Sequence, residues 1–192
     1  MSKGGARHRA RGTEQFILHD LYYLDCIRAA LVSKGSLQNY GSILVKNDRI
    51  IGRGYNRLIQ FRDKIRQGYA NHAEINAIND ALRQKRDTRG STLYVAGFFP
   101  TERMLCLRSE PNYTCTRCIP GMEEYGVKLL AVPTLSGWET FPMDEVEGVV
   151  RNFRDHTPGK NTHEKRLSAW HNPYTIDFLL ERVHSIDPFH SL

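Results

Sequence analysis

Two apolar runs on either side of a short helical segment constrain the fold of this chain more than any other feature. Residues 91–96 and 127–132 are nearly continuous in β-forming apolar side chains, which is typical of strands buried on both faces. Residues 118–126 lie between them and fit a helix that ends at Gly126. A strand–helix–strand unit favours two parallel strands joined by a right-handed crossover. The sequence therefore predicts an α/β sheet with helices packed on it.

The residues before this unit predict a helix followed by a β-hairpin. Residues 14–33 carry apolar side chains at close to helical spacing. Residues 41–46 and 49–54 are short β-rich runs on either side of Asn47-Asp48, a polar pair typical of a tight turn. Because a hairpin pairs antiparallel strands and the later unit is parallel, we expect a mixed sheet.

A second helix is predicted to open at Asn71 and to end near Arg83, with apolar residues on one face. Residues 56–70 lack periodicity and are rich in basic side chains, which predicts a surface loop. The resulting order is helix, hairpin, helix, strand, helix, strand. It predicts a three-layer α/β/α sandwich, in which a mixed sheet has an initial hairpin and later parallel strands.

One folded domain with a flexible segment before it and an extension after it is the predicted organisation. Residues 1–12 are Gly-rich and basic, which is typical of a flexible tail. Residues 13–133 contain the whole predicted sheet and are interpreted as the domain. Residues 134–192 are interpreted as an extension packed on it, with helical segments near 144–153 and 174–186.

Two predicted helix starts carry the residues of chemical interest. His-Ala-Glu stands at residues 72–74, and Cys-Thr-Arg-Cys stands at residues 115–118. In open α/β sheets, sites form at the carboxyl ends of the strands, where such helices begin. One imidazole and two thiolates would give zinc three protein ligands and leave one position for water. The carboxylate two residues after the histidine could then accept and pass on a proton of that water.

Each motif alone also has an interpretation without catalysis. Asn71 and Glu74 fit a capping box that only stabilises a helix start. The Cys-x-x-Cys pair alone fits a redox protein, and the three ligands fit a non-catalytic zinc-binding module of the same fold. The conjunction favours an enzyme, because a structural zinc site needs no carboxylate there and tends to close its fourth position. His-x-Glu followed by Pro-Cys-x-x-Cys, with the glutamate not a ligand, is the signature of zinc-dependent base deaminases.

The chain resembles the cytidine and deoxycytidylate deaminase superfamily over about residues 13–133. The segments that carry the resemblance are residues 40–46, 51–56, 72–78, 92–95 and 115–130. Gly54-Tyr55-Asn56 and the residues after Glu74 are most similar to the deoxycytidylate branch. The resemblance implies the same α/β/α fold, a Zn²⁺ cofactor and a hydrolase that releases ammonia.

The resemblance also implies a role for each site residue. The implied zinc ligands are His72, Cys115 and Cys118. Glu74 would be the catalytic proton carrier and would not bind the metal. Asn56 would contact the sugar of the substrate, and the backbone N–H of Ala73 would meet the pyrimidine carbonyl.

The expected reaction is deamination of a cytosine-type nucleotide such as deoxycytidylate. A base within RNA or DNA is the alternative substrate, and the basic N-terminal tail favours it slightly. The net charge of +6 suits phosphate-bearing partners of either kind. Members of this superfamily often build the site near subunit contacts, so a homo-oligomer is expected. No apolar run is long enough to span a bilayer and none follows the basic N-terminus, which predicts a cytoplasmic protein without a membrane partner.

The segment before the cysteine pair departs from the family pattern. The family usually has proline immediately before the first cysteine, whereas this chain has Thr114, and residues 101–114 are interpreted as an insertion within a loop. The insertion contains Cys106, a rival ligand. Cys115 is preferred because residues 118–126 match the family's helix without a gap. Residues of the insertion that could reshape the pocket for a nucleotide are Arg103, Arg108, Asn112 and Tyr113.

Overall fold

The computed structural model describes residues 13–33, 38–61, 64–101, 103–108, 113–134, 137–156, 175–177 and 181. In chain order the elements are α1 (Thr13–Leu31), β1 (Asn39–Lys46), β2 (Arg49–Tyr55), β3 (Arg57–Phe61), β4 (Lys64–Asn71), α2 (Ala73–Arg83), β5 (Thr92–Phe99), β6 (Met104–Leu105), α3 (Ile119–Glu124), β7 (Leu129–Thr134), β8 (Gly137–Pro142) and α4 (Met143–His156). The predicted tail lies outside the described residues, as does most of the second helix predicted for the extension.

The main sheet is mixed, with strand order β2-β1-β5-β7-β8 and with β6 paired to β5. β1 is antiparallel to β2 and to β5, whereas β5 and β7 run parallel with Thr92 opposite Leu129. The turn between β1 and β2 uses Asn47 and Asp48 at φ angles of 49° and 57°. Asparagine and aspartate tolerate this left-handed conformation better than most residues do. The predicted hairpin and the predicted parallel pair are therefore confirmed.

Helices cover both faces of this sheet, which confirms the three-layer α/β/α prediction. On one face, Tyr23 of α1 packs in an apolar core with Ile43 of β1. The next residue of β1, Leu44, points to the opposite face, as strand geometry requires. There it packs in a second core with Met122 of α3, Val146 of α4 and residues of α2. The sheet thus separates two cores, and the second contains Cys115, Cys118 and the later residues of α2, the helix that begins at the His-Ala-Glu motif.

α2 lies directly against the backbone of β2. A Cβ atom at Gly54 would collide with the carbonyl oxygen of Ala73 and the amide nitrogen of Ala77. Gly41 of β1 allows the same approach by α1 on the other face, where a Cβ atom would collide with the carbonyl oxygen of Cys26. Since α2 begins at Ala73, its contact with Gly54 determines where the His-Ala-Glu motif stands.

The prediction of a surface loop for residues 56–70 is wrong. Arg57–Phe61 and Lys64–Asn71 pair as antiparallel strands in a separate two-stranded sheet. Backbone pairing of this kind does not require a strong alternating apolar pattern, so a composition rich in basic and polar residues hides it. α2 also begins later than predicted, at Ala73, because β4 continues through Asn71.

The segment after β5, predicted as a loop, contains a short strand. β6 pairs antiparallel with the end of β5, and Met104 forms a bridge to Thr175 on its other side. Ile176 is buried in the core beneath α1, and its N–H donates to the carbonyl oxygen of Arg103 at 3.0 Å. A short piece of the C-terminal region therefore packs against the predicted insertion.

The first part of the predicted extension completes the sheet. β8 pairs antiparallel with β7 and was not among the predicted elements, whereas the helix predicted near residues 144–153 is present as α4. Met143 and Val146 of α4 are buried in the second core. None of the described helices combines the length and the apolar character needed to cross a lipid bilayer.

Candidate metal centre and active site

His72, Cys115 and Cys118 stand at the starts of two helices on one face of the sheet. His72 directly precedes α2 in an extended conformation, with φ −74° and ψ 149°, and its imidazole does not cap the helix. Cys118 holds the corresponding position before α3, and its N–H donates to the carbonyl oxygen of Cys115 at 2.9 Å. Pro120 lies in the first turn of α3, where its missing N–H breaks no helical hydrogen bond.

The three side chains converge on one point. The imidazole nitrogen and the two sulfur atoms lie within 4.8 Å of one another, and Sγ of Cys118 is 3.3 Å from Nδ1 of His72. Both cysteines are buried, and the histidine is half-buried. Among the residues that the structure describes, no fourth histidine, cysteine or carboxylate joins the group. One nitrogen and two sulfur donors suit zinc, and three protein ligands are the number typical of a catalytic site.

The hydrogen bonds within this cluster indicate that it fits a cation. The hydrogen bond with Cys115 raises the pKa of His72, although burial alone would lower it. The pKa of Cys118 is raised as well, first by its hydrogen bond with Cys115 and then by burial. Thiolates in such surroundings need a positive charge beside them. A divalent cation could supply that charge, since metal binding requires the thiols to lose their protons.

Cys115, and not its rival Cys106, belongs to this cluster. Cys106 is also buried, and its N–H donates to the carbonyl oxygen of Gly97 at 2.7 Å. Its sulfur atom, however, is not part of the group of neighbouring ligand atoms. The structure therefore brings together the three residues that were predicted to bind zinc.

Glu74 lies in the first turn of α2 and is 4% exposed. Its Oε1 accepts a hydrogen bond of 3.3 Å from the hydroxyl of Thr114. Its negative charge contributes to the raised pKa values of His72 and Cys118, so the carboxylate lies near the cluster without joining it. The capping box considered for Asn71 and Glu74 is wrong, because His72 is the residue that precedes the helix.

Asn56 and Ala73, the residues predicted to contact substrate, have defined positions. Oδ1 of Asn56 accepts a hydrogen bond from the Tyr40 N–H at 2.7 Å, and its Nδ2 donates to the Gln38 carbonyl oxygen at 3.1 Å. Each amide atom keeps one further hydrogen-bonding position. Ala73 is the first residue of α2, where N–H groups have no partner within the helix. Substrate contacts by both residues stay predictions.

Arg108 brings a positive charge from the predicted insertion towards the cluster. Its guanidinium carbon lies 4.6 Å from the centroid of the Tyr40 ring. Burial alone would lower the pKa of Arg108, but Tyr40, Glu74 and the nearby cysteines raise it, and the net direction is upward. No carboxylate among the described residues forms an ion pair with it. The sequence placed Arg108 in the insertion but gave no signal that its charge would reach Glu74.

The other residues named in the insertion have different surroundings. Arg103 forms an exposed salt bridge of 2.9 Å with Asp177. Tyr113 stacks on Phe141 of β8, with ring centroids 4.2 Å apart. Asn112 lies outside the described residues. Thr114 contacts Glu74 directly, and the sequence distinguishes it only as a departure from proline.

Several solved structures are similar to this chain. The apo dCMP deaminase of cyanophage S-TIM5 is 20% identical, covers 62% of this chain and 82% of its own, and has a TM-score of 0.46. The cytidine deaminase of Burkholderia pseudomallei is 17% identical, covers 67% and 94%, and has a TM-score of 0.50, which supports the fold alone. A diaminohydroxyphosphoribosylaminopyrimidine deaminase/5-amino-6-(5-phosphoribosylamino)uracil reductase of Thermotoga maritima is 27% identical, covers 72% and 35%, and has a TM-score of 0.40. No curated protein matches the chain.

A family model gives the decisive comparison. Residues 18–133, more than half of the chain, match the model described as the cytidine and deoxycytidylate deaminase zinc-binding region. The matched region contains the three clustered ligands and Glu74. This chain therefore belongs to the cytidine and deoxycytidylate deaminase family.

Proposed function

We propose that the protein is a zinc-dependent hydrolase that removes the amino group of a cytosine-type nucleotide such as deoxycytidylate. The observation that carries this proposal is the position of Glu74. A buried carboxylate lies beside three converging zinc-type ligands and is not one of them. A purely structural metal site would gain nothing from an additional buried carboxylate, because burying a charge is costly.

The residues divide the chemistry between them. His72, Cys115 and Cys118 would hold the zinc ion. When bound, zinc supplies Lewis acidity and lowers the pKa of water towards neutrality. Glu74 accepts a proton from the attacking water as the new C–O bond forms, and it delivers this proton to the ring nitrogen. Glu74 then takes the remaining proton from the newly added hydroxyl group and gives it to the amino group, the C–N bond breaks as the carbonyl forms, and ammonia leaves.

Three further residues are proposed to orient the substrate. The N–H of Ala73, at the start of α2, would donate to the pyrimidine carbonyl. The remaining hydrogen-bonding positions of the Asn56 side-chain amide would bind the sugar. Arg108 would attract an anionic group, because a guanidinium that is half-buried and has no ion-pair partner among the described residues suits a phosphate.

Replacing Glu74 with alanine tests the reaction. We expect turnover of deoxycytidylate to fall roughly 10²- to 10⁴-fold, the usual contribution of a general acid–base group. Zinc content, measured by elemental analysis, should stay at the wild-type value, since Glu74 is not a ligand. Glu124→Ala is the control, because Glu124 is an exposed carboxylate on α3. Undiminished ammonia release by the Glu74→Ala protein would contradict the proposed mechanism.

Replacing Arg108 with glutamine tests the nucleotide preference. We expect KM for deoxycytidylate to rise about tenfold, the order expected when a hydrogen bond to a charged group is lost. KM for deoxycytidine, which has no phosphate, should change little. Arg103→Gln is the matched control from the same segment, since Arg103 pairs with Asp177 away from the cluster. An equal change for both substrates would contradict a phosphate contact.

The alternative substrate is a cytosine within RNA or DNA. The basic residues among the first 12 of the sequence favour it slightly, because phosphate-rich polymers attract lysine and arginine side chains. A comparison of ammonia release from deoxycytidylate and from oligonucleotides separates the two substrates. Reaction of oligonucleotides alone would overturn the mononucleotide proposal. The homo-oligomeric state and the cytoplasmic location stay predictions from the sequence.

A further inference from the structure

Among the described residues, Thr114 has a side chain that hydrogen-bonds to the carboxylate of Glu74 without belonging to the cluster of His72, Cys115 and Cys118. It stands immediately before Cys115, and only 2% of it is exposed. Its Oγ1 donates to Oε1 of Glu74 at 3.3 Å, across 40 residues of sequence. The family pattern has proline at this position, and proline has no hydroxyl and no backbone N–H to donate. The hydrogen bond therefore depends on the residue that distinguishes this chain from that pattern.

The hydrogen bond from Thr114 gives the two carboxylate oxygens of Glu74 different surroundings, because it reaches Oε1 alone. A glutamate side chain has three rotatable bonds, and its carboxylate can turn about the last of them. A donor fixed on another segment of the chain removes that freedom and occupies part of Oε1. Among the hydrogen bonds of the described residues, none involves Oε2. Oε2 is consequently the oxygen that stays available to a reacting group.

We propose that Thr114 is a positioning residue, which fixes the Glu74 carboxylate through Oε1 so that Oε2 carries the protons. This inference rests on the proposed deamination. Thr114 acts through Glu74 and does not touch the substrate. Its effect should fall on the rate of the chemical step and not on substrate binding, because correct orientation of a catalytic group matters most in the transition state.

Paired substitutions at position 114 test this role. Thr114→Val keeps the shape of the side chain and removes the hydroxyl, whereas Thr114→Ser keeps the hydroxyl. With zinc-loaded protein and deoxycytidylate, we expect Thr114→Val to lower kcat about tenfold, the loss typical of a hydrogen bond to a charged group, and to leave KM nearly unchanged. Thr114→Ser should restore most of kcat. Elemental analysis should find the wild-type zinc content in both variants.

Thr88→Val is the matched control. Thr88 is also buried, and its hydroxyl donates to the carbonyl oxygen of Tyr125 at 2.7 Å. It lies in the connection between α2 and β5 and is not part of the cluster of His72, Cys115 and Cys118. This substitution should lower stability without lowering kcat at a temperature where the protein is folded. If Thr88→Val lowers kcat as much as Thr114→Val does, the loss at Thr114 is a general effect of removing a buried hydroxyl and the proposal is overturned.

A double-mutant cycle gives a measurement that does not depend on activity. Urea unfolding of metal-free and zinc-loaded protein is compared for the wild type, Thr114→Val, Glu74→Ala and the double variant. If the hydrogen bond exists in solution, the stability loss caused by Thr114→Val should be larger with Glu74 present than with Glu74 absent, because residues in contact are energetically coupled. Additive losses would overturn the proposal.

The two measurements separate the possible failures. Coupling in the cycle together with an unchanged kcat in Thr114→Val would make the bond merely structural and would overturn the positioning role alone. If the wild-type protein releases ammonia from none of the substrates, the proposed function fails and the positioning role fails with it. The cycle would still report whether the two side chains interact.

Discussion

The two faces of the sheet bury cysteines in surroundings that differ in one decisive respect. On the α1 face, Cys26 is fully buried among apolar and aromatic side chains, its Sγ donates to the Tyr94 carbonyl oxygen at 3.4 Å, and burial raises its pKa far above the usual range. On the α2 face, Cys115 and Cys118 are buried equally well but meet the imidazole of His72. Burial alone makes a thiol inert, whereas convergence with a second sulfur and a nitrogen donor gives a set of ligand atoms that suits a metal ion.

Removing one sulfur from each face is the strongest test of this difference. Cys118→Ser removes a predicted ligand of the metal itself. It should therefore reduce zinc affinity by more than the roughly 10- to 100-fold that is typical when a residue hydrogen-bonded to a ligand is lost. Cys26→Ser should keep the wild-type zinc content, because Cys26 lies on the opposite side of the sheet. Elemental analysis after dialysis against a weak chelator measures both.

The same experiment decides between the rival ligands of the insertion. Cys115→Ser should lose zinc as Cys118→Ser does, whereas Cys106→Ser should retain it, since the Cys106 sulfur is outside the cluster. Retention of zinc by Cys115→Ser together with loss by Cys106→Ser would show that the ligand assignment is wrong.

Glycines on the two faces provide a second, smaller test. Gly41 lets α1 touch β1, and Gly54 lets α2 touch β2 at Ala73, beside the His-Ala-Glu motif. Alanine at either position should cost at least about 1–3 kcal/mol of stability, because the new Cβ would meet backbone atoms, which cannot turn aside as a flexible side chain can. Only Gly54→Ala should also displace His72 and Glu74, so kcat of the folded protein should fall for Gly54→Ala and not for Gly41→Ala. Thermal unfolding and kinetics below the transition measure the two effects separately.

Equal losses of kcat in the two glycine variants would break the comparison. They would mean that a displacement of α1 also moves the residues of the site, although α1 packs on the opposite face of the sheet. A loss of stability without any loss of kcat in Gly54→Ala would mean instead that the start of α2 tolerates movement.

The sequence predicts the convergence of the candidate ligands because they are tied to local signals. His72 and Cys118 stand directly before helices, and β5, which lies between them in the chain, has a strong apolar pattern, so their convergence follows from the topology. Thr114 and Arg108 have no such signal. Their contacts with Glu74 and Tyr40 depend on the path of the segment between β5 and α3, which has no periodicity. The resemblance to the deaminase family shows only that this segment departs from the family pattern and does not indicate which residues it brings to the site.

The elements that the sequence misses are those whose strand pattern is weak. β8, with the sequence Gly-Trp-Glu-Thr-Phe-Pro, is an edge strand of the main sheet and is only partly buried, so its apolar residues do not form a continuous run. β3 and β4 pair only with each other. In both cases backbone pairing decides the structure, and side-chain patterning gives little indication of it.

Trp138 of β8 gives the test with the smallest expected effect on the site. Its ring stacks on Tyr23 with centroids 3.8 Å apart, and its Nε1 donates to Oδ1 of the fully buried Asp20, so it ties the end of the sheet to α1. Trp138→Phe leaves Asp20 without this donor and should cost about 1.5–3 kcal/mol, as losses of hydrogen bonds to charged groups do. Urea unfolding measures this cost. Because the contact lies on the α1 face, kcat and zinc content of the folded variant should equal those of the wild type, and a fall in either would mean that the α1 face also supports the site.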